Sequence, residues 1–360
     1  MKVNRRTWTL LIVAVAVIGG VYAITVWQRG RETRGLLEEY RSADHAIAAQ
    51  AMTALRERVP SVRDELMSDA TQSAGPAHWR AIELLAEVDD AASRDLLMNA
   101  LQDEEPAVRA AAASSLAKRG VRGAADRIAL LAQADEEPME VRLAAVRALR
   151  MLGTVTHLAE LSEIATNRPP PQPEEPAEPV EPAPAAEPAP AEGEEPAEGE
   201  EAEAEEPAAP EPPAEPEEPW SDDTIELRIE AVRAVATLGA EGAGEAAEQG
   251  QDPAMQAATV LAEACSPEEH NDEVRQAACY AIADLATRVT NNEVRGAAVD
   301  ALVAAATDEI GDVRIAAVHS LEVIPVPTDR RDSVESVLAD AINDEHYWVR
   351  VAAGEEPIGG

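Results

Sequence analysis

The fold is decided by one stretch of sequence, Glu140-Val141-Arg142-Leu143-Ala144-Ala145-Val146-Arg147-Ala148-Leu149, because its main features return along the chain. The shared phrase, which we call the Val-Arg phrase, is Val-Arg-x-Ala-Ala with a Leu or Ile eight residues after the Val. Further copies, one of them with Leu in place of Val and one cut short at the chain end, start at Val108, Leu227, Val274, Val294, Val313 and Val349.

Each copy has the pattern of an amphipathic helix. From Val141 to Leu152, apolar residues fall at i, i+3, i+4, i+7, i+8 and i+11, which is one face of an α-helix. Ala at the inner positions lets a neighbouring helix approach closely. An acidic turn precedes most copies, and it supplies N-caps and negative charge at the positive end of the helix dipole. We expect the helices to end at Gly120, Gly153 and Gly239, each a left-handed C′ residue.

The spacing of the copies predicts stacked helical pairs. The interval is 33 residues from Arg109 to Arg142, 39 from Arg275 to Arg314 and 36 from Arg314 to Arg350, and each interval holds a second, less regular helix. Units of this period bury their apolar face only by stacking. The pattern resembles HEAT repeats, specifically the short bacterial HEAT-like type also seen in phycobilin lyases, over roughly residues 40–353. The resemblance implies an all-α solenoid of antiparallel helix pairs, an architecture that is reused for many partners.

The N-terminus predicts a membrane anchor. A basic tail at 1–7 precedes an uncharged run at 8–27, which is long enough as a helix to cross a bilayer and has Trp at both ends. A signal peptide cleaved after Ala23 is the alternative. A short basic tail usually stays in the cytoplasm, so we expect a single-pass protein of the bacterial cytoplasmic membrane with a periplasmic solenoid. A regulatory solenoid that faces the cytoplasm is the other arrangement.

One segment has a different composition from the repeats. Residues 169–219 contain 18 Glu, 17 Pro and 12 Ala with no Lys or Arg, which predicts an extended, disordered loop. The interval from Arg142 to Arg228 is 86 residues, and subtracting these 51 leaves 35, an ordinary repeat interval. The segment is therefore expected to divide two blocks of one array. The blocks are 28–168, which begins with a helical stalk, and 220–353, which a polar tail at 354–360 follows.

Charge restricts the class of partner. The formal net charge is −39, and 18 of the negative charges lie in the acidic segment, so the remainder carries −21. Nucleic-acid binding needs a basic surface, which the sequence does not offer. Attraction between opposite charges favours protein partners with Lys- or Arg-rich segments.

Two sets of residues are candidate sites. The arginines of the Val-Arg phrase either bind anionic groups along one face or pair with acidic residues in the adjoining turns, such as Asp103, Asp135 or Asp308; they are Arg109, Arg142, Arg228, Arg275, Arg295 and Arg314. Cys265 and Cys279, 14 residues apart on consecutive predicted helices, either form a disulfide or serve as two small buried apolar residues.

No residue pattern indicates chemistry. The six His are scattered at no metal-ligand spacing, and no phosphate loop, nucleophile motif or carboxylate pair stands out. We therefore predict no catalytic residues, no metal and no cofactor. The expected function is a membrane-anchored scaffold for protein–protein interaction or complex assembly at the bacterial envelope. The alternative, implied by the resemblance, is a lyase-type enzyme or enzyme accessory.

Overall fold

The computed structural model describes residues 27–72, 74–166, 221–243, 252–269 and 271–354. Helices account for all of the regular secondary structure in these residues, and the described part of the chain contains no β-strand. The sixteen α-helices in this part of the chain are α1 (27–40), α2 (His45–Arg56), α3 (Val59–Gln72), α4 (Pro76–Leu85), α5 (Ala91–Ala100), α6 (Pro106–Lys118), α7 (Ala125–Gln133), α8 (Met139–Leu152), α9 (Leu158–Thr166), α10 (Asp222–Glu241), α11 (Pro253–Ala264), α12 (Asp272–Arg288), α13 (Asn292–Ala305), α14 (Gly311–Val323), α15 (Arg331–Ala341) and α16 (Tyr347–Ala352).

Polar residues and prolines in the turns define where many helices begin. The side chains of Asp90 and Asn271 accept hydrogen bonds from the backbone amides of Ser93 and Val274, so they cap α5 and α12. Pro106 stands in the first turn of α6, where a missing amide hydrogen costs nothing. The helix starts therefore follow from local sequence.

From α3 onward the helices pair and stack in two layers. We call α4, α6, α8, α10, α12, α14 and α16 the VR layer, because all but α4 carry the Val-Arg phrase. Each of these helices packs beside the next one, and these contacts are more extensive than those between helices of the second layer, α3, α5, α7, α9, α11, α13 and α15. The prediction of an all-α array of stacked helix pairs is confirmed for the described residues.

One apolar core runs through the array. It extends from Leu37 in α1 to Val334 in α15, and Leu149 and Leu238 are among its fully buried members. Helix α10, which follows the acidic segment, packs directly on α8 and α9, which precede it. The two blocks of repeats therefore share one core on either side of residues 167–220.

The three glycines expected to end helices differ from one another. Gly120 has φ 66° and supplies the left-handed residue after α6 as predicted. Gly153 follows α8 with φ −62°, so it needs no left-handed conformation. Gly239 lies inside α10, where an added Cβ would stand 2.3 Å from the Cβ of Ala257. This glycine allows α10 and α11 to approach closely. The helix end expected at Gly153 is confirmed without the left-handed conformation, and the helix end expected at Gly239 is wrong.

The predicted membrane localisation is corrected by the structure. Among the described residues, no helix has both the length and the apolar character that a membrane crossing requires. The first described helix, α1, begins at Trp27 and includes Arg29, Arg31 and Glu32. The single-pass localisation and the contact with a membrane are therefore not retained. The tail at 1–7 and the predicted span at 8–27, Trp27 excepted, lie outside the described residues, as do the loop at 169–219 and most of the tail at 354–360.

Candidate functional site

Arginines of the Val-Arg phrase connect successive turns of the array. Arg314, on α14, donates from Nη1 to the carbonyl oxygens of Asp308 and Glu309 in the turn before its own helix, at 2.9 and 3.1 Å. Its Nε and Nη2 donate to the two carboxylate oxygens of Asp344, both at 2.9 Å, in the turn before α16. One guanidinium group therefore holds its own turn and the corresponding turn of the next repeat.

The same arrangement recurs in other repeats. Arg275 donates to the carbonyl oxygen of Glu269 at 2.6 Å and lies 3.0 Å from the carboxylate of Asp308. Arg109 bonds the carbonyl oxygen of Asp103 at 2.7 Å and, through Nε, the carboxylate of Glu137 at 3.0 Å. We call this set of contacts the arginine ladder.

Arg228 is the most deeply buried member of the ladder. Arg228 and its partner Glu269 are each 1% exposed. The guanidinium group donates to both carboxylate oxygens of Glu269, and it also donates from Nε and Nη2 to the carbonyl oxygen of Ala165 at 3.2 and 3.1 Å. A buried ion pair with these additional hydrogen bonds satisfies the charges that its burial removes from water.

Two of the six predicted arginines deviate from the ladder. Arg142 lies 3.3 Å from the carboxylate of Asp135, which belongs to the turn before its own helix and has a side chain 85% exposed. Arg295 is on α13, in the second layer, and donates to the carbonyl oxygen of Ala286 at 3.3 Å. The structure thus brings Arg109, Arg142, Arg228, Arg275 and Arg314 into one layer and places Arg295 in the other.

Hydrogen bonds of the ladder shift the pKa values of Asp344 and Arg314, at its C-terminal end. Burial favours the neutral form of the Asp344 carboxyl, but hydrogen bonds from Arg314 and from the backbone amide of His346 outweigh it and lower the pKa of Asp344 below its usual value. The hydrogen bond with Asp344 correspondingly raises the pKa of Arg314. Both groups are therefore charged at neutral pH. Asp308 is a partner that the sequence predicted, whereas Glu137, Glu269 and Asp344, which lie 28 to 41 residues after their arginines, were not predicted.

The structure also brings the two cysteines together. The Sγ atoms of Cys265, at the end of α11, and Cys279, in the middle of α12, are 2.8 Å apart. Both residues are free thiols and are 1% and 0% exposed. The hydrogen bond between the thiols and the burial of the site raise the pKa of Cys265 well above its ordinary value. The Cys265 side chain therefore holds little thiolate while the surrounding helices stay packed.

An open groove crosses the exposed side of the VR layer over α4, α6 and α8. Its volume is about 580 Å³. Small and apolar side chains make much of its lining, and charged side chains stand among them. We call it the VR groove and define it by its lining residues, Arg56, Trp79, Glu83, Ala86, Ala107, Ala110, Ala111, Ser114, Ser115, Lys118, Glu140, Leu143, Ala144 and Arg147.

The charged side chains of the VR groove are paired with one another and with nearby helices. Arg56 donates to Glu83 at 2.9 Å, and Lys118 forms an ion pair with Glu87. Arg147, on α8, pairs with Glu226 of α10. Because each of these cations has a carboxylate partner, the groove presents an apolar surface with charges of both signs rather than an anion-binding site.

A smaller groove lies further along the same layer. It has a volume of about 350 Å³ between α12 and α14, and Tyr280, His319 and Val323 are among its lining residues. Tyr280 is 46% exposed and Val323 is 67% exposed. Large apolar side chains thus reach solvent on α12 and α14.

The turns between paired helices carry further exposed carboxylates. In the turns before α8, α12, α14 and α16 an arginine of the preceding repeat holds one carboxylate, and further carboxylates of these turns and of the turn before α6 are exposed. We call these exposed residues the acidic edge: Glu104, Asp135, Glu136, Glu268, Glu309 and Glu345. They follow the repeat, so they form a periodic acidic surface beside the VR layer.

The described residues do not assemble a metal site, and the buried His157 makes structural contacts. No group of three or more His, Cys, Asp or Glu in the described residues has the arrangement of a metal site. His157, 5% exposed, has Nε2 3.1 Å from the carboxylate of Asp126 and Nδ1 3.2 Å from the backbone amide of Thr154. These contacts stabilise the start of α9. The absence of cofactors and of catalysis remains a prediction.

Comparison with known proteins supports the class of fold. Residues 59–150 match the family model described as HEAT repeats, which confirms the predicted resemblance over α3 to α8. No curated protein sequence matches this chain.

Solved structures with related folds have low sequence identity to the chain. A chain in the structure of Kap95p bound to RanGDP is 14% identical, with 90% of this chain and 38% of that chain covered, at a TM-score of 0.53. YibA of E. coli is 14% identical, with coverage of 87% and 86%, at a TM-score of 0.42. The complex of CpcE and CpcF of phycocyanin lyase from Nostoc includes a chain that is 15% identical, with coverage of 86% and 94%, at a TM-score of 0.36. The chain therefore spans well under half the length of the Kap95p-complex chain, and the similarity shows the fold alone.

Proposed function

We propose that this chain is a protein-binding scaffold whose partner lies along the exposed side of the VR layer. The observation that carries the proposal is the VR groove, which crosses three stacked helices and is lined by the half-buried Trp79, Leu143 and several alanines within a charged rim. An apolar surface ringed by polar groups is typical of protein interaction sites. The scaffold class also agrees with the Kap95p–RanGDP structure, in which a chain of similar fold belongs to a protein–protein complex.

Charge indicates the chemistry of the partner. The chain has a formal net charge of −39, and the acidic edge repeats exposed carboxylates beside the VR layer. We infer that the partner contributes an apolar segment to the VR groove and a flanking Lys- or Arg-rich segment to the acidic edge. Attraction of this kind accelerates association and weakens as salt screens it.

We infer that binding, rather than catalysis, is the role of the chain. The VR groove is open along one side, whereas small-molecule sites usually enclose most of their ligand. The basic side chains that line the groove, Arg56, Lys118 and Arg147, are already paired with carboxylates. Purified protein that carried a pigment or a thiol-linked adduct would contradict this inference and favour a lyase-type role.

Site-specific photo-crosslinking tests the position of the partner. A photoreactive amino acid at Ala111 would lie in the VR groove, whereas one at Leu130, 68% exposed on α7, would lie in the second layer. We expect one defined protein to crosslink at Ala111 and not at Leu130. The variant Ala111→Arg should abolish capture by a probe at Ala144 while it leaves the helical content unchanged. Equal capture at Ala111 and Leu130, or capture that survives Ala111→Arg, would refute the assignment of the groove.

Charge reversal tests the chemistry of the partner. Replacing Asp135, Glu136 and Glu309 by Lys alters exposed groups of the acidic edge. We expect the association rate with the captured partner to fall at least tenfold at low salt, and the difference from the unmodified chain to shrink as salt rises. If neither the substitutions nor salt changes the association rate, the partner does not carry a basic segment, but it can still bind in the VR groove.

A further inference from the structure

We propose that Cys265 and Cys279 are a disulfide-forming pair, and that their oxidation fastens the turn between α11 and α12 to the middle of α12. The Sγ atoms are 2.8 Å apart. A disulfide bond is about 2.05 Å long, so the two sulfur atoms need to approach by less than about 1 Å. The chain has two cysteines in all, and its fold places them in direct contact.

The position of the pair gives the bond a structural consequence. The turn that follows Cys265 carries Glu269, whose carboxylate accepts from Arg228 and whose backbone carbonyl oxygen accepts from Arg275 at 2.6 Å. Two members of the arginine ladder therefore meet in this turn. A bond from Cys265 to Cys279 would hold the turn against α12 even when those hydrogen bonds open, so it would stabilise the junction of three repeats.

Cys279 is fixed more firmly than Cys265. Cys279 lies within α12, and its carbonyl oxygen also accepts a hydrogen bond from Ser320 of α14 at 3.1 Å. Cys265 directly follows the last residue of α11, so opening the turn alone exposes its thiol. We therefore assign the first step to Cys265 and the second to Cys279.

The reaction is thiol–disulfide exchange with a low-molecular-weight disulfide such as oxidised glutathione. The thiol of Cys265 loses its proton to water, and its sulfur attacks the external disulfide and releases one thiolate. The deprotonated sulfur of Cys279 then attacks Sγ of Cys265 in the mixed disulfide and releases the second thiolate. The protein loses two protons and two electrons, and the external disulfide is reduced to two thiols. Both sulfurs are buried, so the exchange requires local opening and the finished bond is shielded from reductants.

The test is refolding of the full chain from urea with either a glutathione redox buffer or dithiothreitol. After oxidative refolding we expect a monomer lighter by two hydrogen atoms, with neither cysteine alkylated by iodoacetamide in denaturant. Closure of this loop should raise the Tm by about 5 °C relative to the reduced chain. The variant Cys265→Ala/Cys279→Ala should show the same Tm in both buffers.

Single variants test the order of the steps. Cys279→Ala should accumulate a glutathione adduct on Cys265 at least tenfold faster than Cys265→Ala accumulates one on Cys279, because the exposed turn is the point of entry. The proposal is overturned if both thiols of the oxidatively refolded chain are alkylated, or if disulfide-linked dimers form instead. Equal Tm values for the oxidised and reduced chains would refute the claim that the disulfide stabilises the turn.

Discussion

The substitution Glu269→Gln isolates the electrostatic contribution of the arginine ladder. It removes one negative charge and almost no volume from a site where Arg228 and Glu269 are each 1% exposed. Arg228 keeps its bonds to the carbonyl oxygen of Ala165 but loses the carboxylate that balances its charge. Breaking a buried ion pair by neutralising one partner costs about 3–5 kcal/mol, because the other charge remains in a low-dielectric site.

Asp135→Asn is the matched control for this substitution. Asp135 also faces an arginine of the Val-Arg phrase, Arg142, at 3.3 Å, but its side chain is 85% exposed. An ion pair that is open to solvent contributes about 0–1 kcal/mol, since water screens both charges. The two substitutions change the same chemical group in equivalent turns, so the difference between them measures the effect of burial.

Urea unfolding followed by far-ultraviolet circular dichroism provides the free energies, which we expect to differ by at least about 2 kcal/mol. A further variant, Arg228→Met with Glu269→Leu, replaces both charges by apolar groups and should recover most of the loss from Glu269→Gln. Equal losses for Glu269→Gln and Asp135→Asn would refute the idea that burial governs the ladder. Failure of the double variant to recover stability would show that the hydrogen bonds of the turn, not its charges, hold the repeats together.

Three further predictions concern the core, the acidic segment and pH. Leu149→Asp should cost several kcal/mol because Leu149 is fully buried, whereas Met151→Asp, at a position 63% exposed on the same helix, should leave the unfolding midpoint nearly unchanged. Replacing residues 169–219 by a short Gly-Ser linker should change stability by only about 1–2 kcal/mol, since loop closure depends on length logarithmically; loss of cooperative unfolding would contradict this. The pKa of Asp344 is lower in the folded than in the unfolded chain, so the ionised carboxylate stabilises the fold above about pH 4. This stabilisation is lost as the pH falls further. The free energy of unfolding of Asp344→Asn should therefore decrease less on acidification than that of the unmodified chain.

Much of the fold follows from the sequence because the signals are local and repeated. The Val-Arg phrase, the apolar period of each helix and the acidic turns together predict stacked helix pairs, and the described residues contain them. Removing 51 residues restores an ordinary interval between Arg142 and Arg228, and in the structure α10 packs on α8 and α9.

Contacts between repeats were harder to predict than the repeats themselves. The sequence gives no register between a turn and the helix of the preceding repeat, so the partners of Arg228 and Arg314 emerge only from the stacking. Gly239 shows the same difficulty. A glycine near a helix end suggests a left-handed cap, but the close approach of Ala257 on α11 determines its role. The predicted membrane span rested on the uncharged run at 8–27, its flanking Trp residues and the basic tail, and no helix among the described residues meets the requirement for a membrane crossing.

A contact shared by Arg142 and Arg228 shows how one array accommodates a long insertion in a turn. Arg142 donates from Nε to the carbonyl oxygen of Ala132, 10 residues earlier, at the end of the preceding helix. Arg228 makes the corresponding bond from Nε to the carbonyl oxygen of Ala165, but its partner lies 63 residues earlier. The difference of 53 residues is close to the 51 residues of the acidic segment. Equivalent arginines, Arg142 and Arg228, therefore make equivalent contacts with the end of the preceding helix, with and without the insertion between them. The contact depends on how the two helices pack and not on the length of chain that joins them.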